Sequence, residues 1–364
     1  MKLALTFNVK KENENVFAGA AESLHSKSAV GKYLNENILE NYPERVDDTF
    51  AEWDSEETIS AVKSALEAGG HDVTLIEADK DSFDKLKVLN PEFVFNIAEG
   101  SGGLSRESQM PAVLEMLEIP YTGSDPVTIG ICHDKSRCKE ILSYYGIPTP
   151  AFIITDAIHK VKGDIEFPKF VKPLHEGSSK GILNSSLVKN FTELRNEIVR
   201  IKETYNQPSL IEDYLEGKEF TVALAGNGDD LKVFPIVEIN LDSVPEGFNK
   251  IYSYEVKWFF DTRESQLDIF RCPAEIDEKL EKKIKETCKR AFEVLRLRDW
   301  ARIDVRLDKN NVPNIVEVNP LPGILPDPAD NSCFPKAARH AGYDYNALIN
   351  LVLNEAQKRK LTGN

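Results

Sequence analysis

The sequence predicts two architectures in one chain: an open parallel α/β sheet first, then an α+β remainder built on antiparallel hairpins. Three observations carry this reading. Strand-like and helix-like patterns alternate through the first hundred or so residues, the rhythm of βαβ units. After Pro120-Tyr121-Thr122-Gly123, short strands bracketed by turn residues take over. Finally, the chain has 364 residues, whereas single hydrophobic cores stop growing near about 250–300 residues, so two or three domains are expected.

Lys2 to Phe7 is a short apolar strand. Glu56 to Ala68 carries Ile59, Val62 and Leu66 at helical spacing and ends at Gly69-Gly70. A second strand fits His71 to Ile76, a polar helix starts near Asp81, and a third strand fits Phe93 to Ile97 between Pro91 and Gly100. Ligands of such sheets meet loops at the carboxyl ends of strands, which singles out Ala98 to Ser105. The polar, weakly periodic segment Ala18 to Phe50 reads as an excursion near the ligand cleft. Further on, Lys135 to Tyr145 is a helix stopped by Gly146 and Pro148. Strands are expected at Ala151–Ile154, Pro168–Lys172, Gly181–Leu183, Leu210–Tyr214, Lys218–Ala225, Phe234–Ile239, Trp300–Leu307 and Asn314–Asn319. Ile276, Leu280, Ile284, Cys288, Phe292 and Leu295 recur every three or four residues, as on one long amphipathic helix. The tail Lys358-Arg359-Lys360 is expected to fray into solvent.

Composition excludes several functional classes. Lys+Arg 45 against Asp+Glu 60 leaves a net charge of −15, without the overall basic footprint of a nucleic-acid binder. No apolar run reaches the roughly 18 residues a membrane helix needs, and the start turns charged soon after Phe7, unlike a signal peptide. A cytoplasmic enzyme with no membrane partner is expected. The five cysteines, Cys132, Cys138, Cys272, Cys288 and Cys333, are odd in number and never spaced CxxC, so they read as free thiols.

The stretch WARIDVRLDKNNVPNIVEVNPLPG is the most informative. In Trp300 to Leu307, Ala301, Ile303, Val305 and Leu307 share one face, and Arg302, Asp304 and Arg306 the other. If Lys309 to Val312 is a four-residue hairpin loop, Asp308 pairs with Pro313, Asp304 falls opposite Glu317 and Arg302 opposite Asn319. Facing carboxylates destabilise a sheet unless a cation lies between them. Their oxygens suit a hard ion such as magnesium, commonly held by one or two carboxylates and substrate phosphates. The alternative is a solvated face on which Arg302 and Arg306 neutralise both acids.

Phe167 to Pro173 is a strand ending in Lys172, and His175-Glu176-Gly177-Ser178-Ser179-Lys180-Gly181 follows it. Backbone N–H groups and the Ser178 and Ser179 hydroxyls of such a loop can surround phosphate oxygens, with Lys172 as a point charge; a plain hairpin explains the glycines equally well. Neither GxxxxGK[ST] nor GxGxxG occurs in the sequence. Leu210 to Phe220 joins two strands through a Glu-Gly turn and could form an adenine hinge or an ordinary hairpin.

Together these motifs resemble the D-alanine:D-alanine ligase family of ATP-grasp enzymes. The resemblance rests on IPYTGS (Ile119 to Ser124), HDKSRCKEILSYYGIPTP (His133 to Pro150), FPKFVKPLHEGSSKG, LIEDYLEGKEFTV (Leu210 to Val222), YSYEVKW (Tyr252 to Trp258), RCPAEID, WARIDVR, IVEVNPLPG and FPKAARHAGYDY (Phe334 to Tyr345). It implies an ATP-grasp fold: an N-terminal Rossmann-like domain over residues 1–123, a central lobe over 124–207 and a C-terminal lobe over 208–364 that carries the metal site. ATP lies between the two lobes. The implied reaction phosphorylates a carboxylate and lets an amine attack the acyl phosphate.

By the same resemblance, Lys135 and Lys172 hold phosphates, with Ser178 and Ser179 in the loop that closes over the reactants. Glu212 and the backbone of Asp213 and Leu215 read adenine, Tyr214 lines it, and Glu219 takes the ribose. Asp304, Glu317 and Asn319 bind two magnesium ions, with manganese as an alternative. Lys257 contacts the transferring phosphoryl group. Arg302 and the N–H of Gly323 stabilise the tetrahedral intermediate, and Ser332 receives a substrate carboxylate.

The departures fall on the substrate side. The family's glycine-rich turn, serine and ammonium-binding glutamate after the first strand are replaced by Asn8-Val9-Lys10-Lys11-Glu12-Asn13. Glu99 and Arg106 are new charges in the first-substrate loop, Trp258 stands where a tyrosine is usual, and the connection from Pro322 to Ser332 is longer. The expected function is therefore an ATP-dependent carboxylate-amine ligase acting on small carboxylate and amine substrates other than two D-alanines. True D-alanine:D-alanine ligation and an inert ATP-binding regulatory module are the alternatives. A homodimer is left open. Apart from His175 in the serine loop, the histidines are expected to serve solvent or packing.

Overall fold

A computed structural model describes residues 1–10, 51–161, 164–261 and 267–362, and of residues 258, 259 and 362 the backbone alone. The expected excursion over residues 18–50 lies outside the described residues. Among those described, three sheets form.

The first sheet is parallel. It is built from β1 (Lys2–Phe7), helix α1 (Glu56–Ala68), β2 (Asp72–Glu77), α2 (Ser82–Leu89) and β3 (Phe93–Asn96), with strand order β2-β1-β3. Helix α1 has the expected bounds. Its first turn is capped by the Ser55 hydroxyl, which accepts from the Thr58 N–H at 3.2 Å, and Gly69 ends it. Two helices the periodicity did not reveal, α3 (Arg106–Met116) and α4 (Pro126–His133), lead to α5 (Lys135–Tyr144). Asp134 caps α5 by accepting from Ser136 N at 3.0 Å, which sets Lys135 in its first turn.

The second sheet holds β4 (Phe152–Thr155), β5 (Lys169–Pro173), β6 (Leu187–Val188) and, after helix α6 (Phe191–Tyr205), β7 (Ser209–Asp213). Its antiparallel order is β4-β7-β5-β6. Because β7 lies between β4 and β5, residues 209–213 share the second sheet with them. The expected strand Gly181–Leu183 is a turn instead: Gly181 has φ +70°, and the Ile182 N–H bonds Ser179 O at 3.0 Å. A left-handed residue departs from the extended backbone that a regular ladder needs.

The third sheet comprises β8 (Glu219–Ala225), β9 (Lys232–Val233), β10 (Val237–Ile239), β11 (Phe270–Arg271), and, beyond α7 (Glu278–Val294), β12 (Trp300–Leu307) and β13 (Pro313–Asn319). Its order is β11-β10-β8-β12-β13, with β9 also on β8. The expected Phe234–Ile239 strand is shorter, β10 alone. Helices α8 (Cys333–His340) and α9 (Tyr345–Thr362) close the chain. Ile284, Cys288 and Phe292 of α7 pack on Val222, Ile303 and Val318. Another core joins Leu5, Phe95 and Val62 to Trp300, Phe334 and Val352, so the first sheet shares its interior with the C-terminal helices. All five cysteines are free. No helix among the described residues is long and apolar enough to cross a membrane.

The expected fraying of Lys358-Arg359-Lys360 is overturned. These residues lie within the last turns of α9, and the Arg359 guanidinium grips the fully buried Asp299 at 2.9 and 3.0 Å while donating to Tyr121 O at 2.9 Å. Asp299 also accepts from Gly123 N at 2.8 Å and Asn227 Nδ2 at 2.9 Å, so one carboxylate ties the end of the first domain to the end of the chain. Breaking a buried pair by removing one partner typically costs about 3–5 kcal/mol. Arg359→Ala should therefore lose about 3 kcal/mol in chemical denaturation. Lys358→Ala, whose own ammonium is more than half exposed although its partner Glu355 is buried, should lose clearly less. Equal losses would refute this assignment.

Candidate active site

The site starts at the β12–β13 hairpin. The loop is one residue longer than expected: Asp308 N bonds Val312 O at 3.1 Å, and the Asp308 carboxylate caps the N–H groups of Asn310 and Val312 at 2.8 Å each. Pairing therefore begins at Leu307 with Pro313. Continued without interruption, that register would set Asp304 opposite Val316 and turn Glu317 toward the core. A bulge at Val316 intervenes, and beyond it Asp304 faces Glu317 and Arg302 faces Asn319. The expected pairing is present because two departures from the simple hairpin cancel.

Each acid has a nitrogen partner. Arg302 holds Asp304 through Nε and Nη2, both at 3.1 Å, and Asn319 Nδ2 donates to the same carboxylate at 3.1 Å. Lys135 Nζ sits 2.9 Å from Glu317 Oε1 and also donates to Glu176 O. Burial pushes the Glu317 carboxyl up, but Lys135 and Lys172 outweigh it and hold the pKa down at about 2. Burial likewise opposes charge on Arg302, yet Asp304 raises its pKa further.

A second cluster flanks the first. Lys172 at the end of β5 and Lys139 of α5 both lie 2.9 Å from the Glu212 carboxylate, and Lys172 also reaches Val316 O at 3.4 Å. Burial disfavours the charged Glu212 carboxylate, and the two ammonium groups reverse that. Glu219 opens β8 and pairs with Arg306 at 2.9 Å; the Arg306 guanidinium lies over the Tyr214 ring at 4.7 Å and donates to its hydroxyl at 2.8 Å. Lys139 and Arg306 were absent from the expected set. Arg306 sits on the charged face of β12, so its period-two spacing was the available signal; Lys139 had none, being one of several charges on a short helix.

The serine loop is bent through two consecutive left-handed residues, Ser178 at φ +48° and Ser179 at φ +62°. Such conformations cost roughly 1–2 kcal/mol per residue unless surrounding contacts impose them. Ser179 Oγ donates to Tyr252 O at 3.1 Å. Lys257 rides on the helical turn Val256–Phe260; burial and then Arg302 lower its pKa to about 8. Ser332 precedes α8 and ties the long connection together, accepting from Leu325 N at 3.2 Å and donating to Gly323 O at 3.4 Å. A side chain on Gly323 would meet nothing within 4 Å.

Lys135, Lys172, Ser178, Ser179, Glu212, Asp213, Tyr214, Leu215, Glu219, Lys257, Arg302, Asp304, Glu317, Asn319, Gly323, Ser332 and Glu99 all line one cleft of about 390 Å³. The side chain of Trp258 lies outside the described residues. Ala51 to Ser55 line the cleft as well, bringing in Glu52 and Asp54. At that end Glu99 is pushed well up by burial and by Glu107, Glu52 and Asp54, while burial lifts Asp54 to about 7. His133 belongs to this polar cluster rather than to solvent or packing alone. Its Nε2 meets Arg106 Nη1 at 3.0 Å and its Nδ1 meets Glu107 at 2.6 Å. An arginine can only donate, so Nε2 accepts and Nδ1 carries the proton.

Among the described residues no three His, Cys, Asp or Glu side chains converge on one point as a ready-made metal centre. What the hairpin offers is two carboxylates and one amide, all hard oxygen donors, in a cleft whose lysines suit phosphates. That donor set fits magnesium shared with a polyphosphate.

Comparison with known proteins agrees with this geometry. The family model described as "D-ala D-ala ligase C-terminus" matches residues 144–354. A D-alanine--D-alanine ligase of Alcanivorax borkumensis is 32% identical over 300 residues, covering 82% of this chain and 88% of that protein. Uncharacterized protein y4sG of Sinorhizobium fredii is 34% identical over 315 residues, covering 84% and 89%. The crystal structure of D-alanine--D-alanine ligase from Bacillus anthracis complexed with ATP matches all of both chains at a TM-score of 0.67 and 22% identity, which shows the ATP-grasp fold.

Lys257 binds its proton less tightly when folded than when unfolded, so while charged it opposes folding, and its contribution to stability rises as pH climbs from about 8 toward 10.5. An NMR titration of reductively ¹³C-methylated protein should show one lysine with a midpoint near 8 that Lys257→Arg removes. Midpoints all near the ordinary value would refute the buried placement.

Proposed function

The chain belongs to the D-alanine:D-alanine ligase family of ATP-grasp enzymes, and on that premise we propose that it is an ATP-dependent carboxylate-amine ligase working through an acyl phosphate. One observation carries the reading: Asp304, Glu317 and Asn319 share a sheet face with Arg302, with Lys135 on Glu317 and Lys172 on the neighbouring Glu212. We divide the chain after Gly123 and after Asp213, so that nucleotide lies between the second and third sheets.

Lys135 and Lys172 hold phosphate oxygens, and the N–H groups and hydroxyls of Ser178 and Ser179 cover them. The backbone of Asp213 and Leu215 reads the adenine edge, with Glu212 behind it and Tyr214 beside it, while Glu219 takes the ribose. Asp304, Glu317 and Asn319 would hold the magnesium, one ion or two. Magnesium supplies charge neutralisation at the transferring phosphoryl group.

A substrate carboxylate oxygen attacks the γ-phosphorus as the bond to ADP breaks, and Lys257 follows the moving charge. The amine then attacks the acyl carbon. Arg302 and the Gly323 N–H donate to the resulting oxyanion before inorganic phosphate leaves. Removing one such donor costs about 2.7–4 kcal/mol in comparable sites. Phosphoryl transfer asks mainly for positioning and charge compensation, and these residues supply both. An inert nucleotide-binding module would need neither Arg302 nor Lys257.

On the substrate side we infer a pair other than two D-alanines. Glu99, Asp54 and the Glu107–His133–Arg106 cluster surround the first-substrate end, and the 322–332 connection reshapes the second. Ser332 stays as the carboxylate acceptor. True D-alanine:D-alanine ligation is the second reading, favoured by the names of the curated relatives. In either case the partners are small carboxylates and amines, and the enzyme works in the cytoplasm without nucleic acid.

Phosphate release with ATP, magnesium and D-alanine alone should be slow, whereas a pool of amino acids and small carboxylates should contain a pair that drives it. Brisk release with D-alanine alone would decide for the second reading. Glu317→Gln keeps the shape but removes the charge facing Lys135, and turnover should fall at least about a hundredfold, the scale of losing a few kcal/mol at a transition state. Unchanged turnover would place the chemistry elsewhere.

A further inference from the structure

We propose that Glu52 is a positioning residue that latches the serine loop shut across the cleft, so that the first sheet takes part in closing the nucleotide site. The inference rests on the ligase reading for its purpose but on geometry of its own for its existence.

Glu52 lies on the chain that enters α1, and its neighbours fasten it to the first sheet. Trp53 Nε1 donates to Gly100 O at 3.1 Å, Asp54 N donates to Asn8 O at 3.1 Å, and Lys10 N donates to Asp54 O at 2.7 Å. Asn8 Oδ1 accepts from Gly100 N at 2.8 Å, which joins the ends of β1 and β3. From that anchor the Glu52 carboxylate crosses to the second sheet's loop and accepts the Gly177 N–H at 2.7 Å. Arg106 Nη2 clasps the same carboxylate at 2.9 and 2.7 Å, while Nη1 donates to His175 O at 3.1 Å. One acid and one base thus hold the loop at two backbone points. The Glu52 and Arg106 side chains are only 8% and 12% exposed, so water screens the pair little.

The loop needs such a hold. Its serines occupy two consecutive left-handed conformations, which an unsupported loop would leave. Other fastenings, among them Ser179 Oγ to Tyr252 O, His175 N to Gln207 Oε1 and Lys135 Nζ to Glu176 O, come from elements outside the first sheet. Glu52 and Arg106 are the contribution of the first sheet and its following helix. Glu52 touches no reacting atom, and its effect passes through the Gly177 amide.

The test uses the full chain without substrates first. Amide exchange of Gly177 should be slow in the wild type and at least tenfold faster in Glu52→Ala. In Gly177→Ala, where an added Cβ would lie 2.5 Å from Glu52 Oε1, exchange of the Ser178 and Ser179 amides should rise in the same way. Glu52→Gln keeps an acceptor for Gly177 but not the charge for Arg106, and should fall in between. Circular dichroism melts identify any variant that fails to fold, in which case Arg106→Lys replaces it, since it keeps the charge and loses the two-point clasp. In turnover, Glu52→Ala should lower kcat at least tenfold with a smaller change in the KM for ATP, and Glu52→Gln should recover part of it. Wild-type exchange in folded Glu52→Ala, or unchanged kcat, would overturn the latch. Absence of phosphate release from the wild type with every substrate pair would instead refute the ligase reading, and the exchange result would still decide the latch.

Discussion

Two carboxylates that face each other across β12 and β13 set the terms for the rest of the cleft. Asp304 and Glu317 face one another in a half-buried place, and like charges directly opposite destabilise a sheet unless cations sit beside them. Arg302 answers the first and Lys135 the second. Lys135 is available because Asp134 starts α5 where it does, and Lys172 because β5 ends beside Val316. Glu212 in turn offsets Lys172 and Lys139, and Glu219 offsets Arg306. The alternation of sign is the electrostatic answer to a single pair of acids, and its chemistry suits the polyphosphate of the proposed reaction.

This arrangement draws on all three sheets. Asp304 and Glu317 come from the third, Lys172 and the serine loop from the second, and the acidic end with Glu52, Asp54 and Glu99 from the first. Charges held in a partly buried cleft interact strongly enough to matter only if their carriers are fixed, since a mobile ion pair is screened and loses side-chain freedom. The shared core of β1, β3 and α1 with Trp300, Phe334 and α9, together with the Asp299–Arg359 tie, supplies that fixity away from the cleft. A site assembled from separate sheets can also open and close, which suits a reaction whose acyl phosphate must be kept from water.

Much of the site was legible because its residues lie close in sequence. Period two in β12 put Arg302, Asp304 and Arg306 on one face, and the hairpin brought Glu317 and Asn319 back to them. Even there the reading succeeded through cancellation: the longer loop and the Val316 bulge are backbone choices that no side-chain pattern announced. The turn at Gly181 was missed for a related reason. A strand that pairs with partners far along the chain looks, in sequence, like any other short apolar run.

The sequence by itself determined the periodic elements, the family's motifs and the charged face of the hairpin, all of which depend on neighbours a few residues apart. Tertiary structure alone decided that Glu52 meets Arg106 and Gly177, that Lys139 shares Glu212 with Lys172, and that Arg359 ends on Asp299 rather than in water. These pairings join charges that are abundant along the chain. Which acid meets which base depends on how the sheets pack, and a one-dimensional pattern of like residues carries no record of that choice.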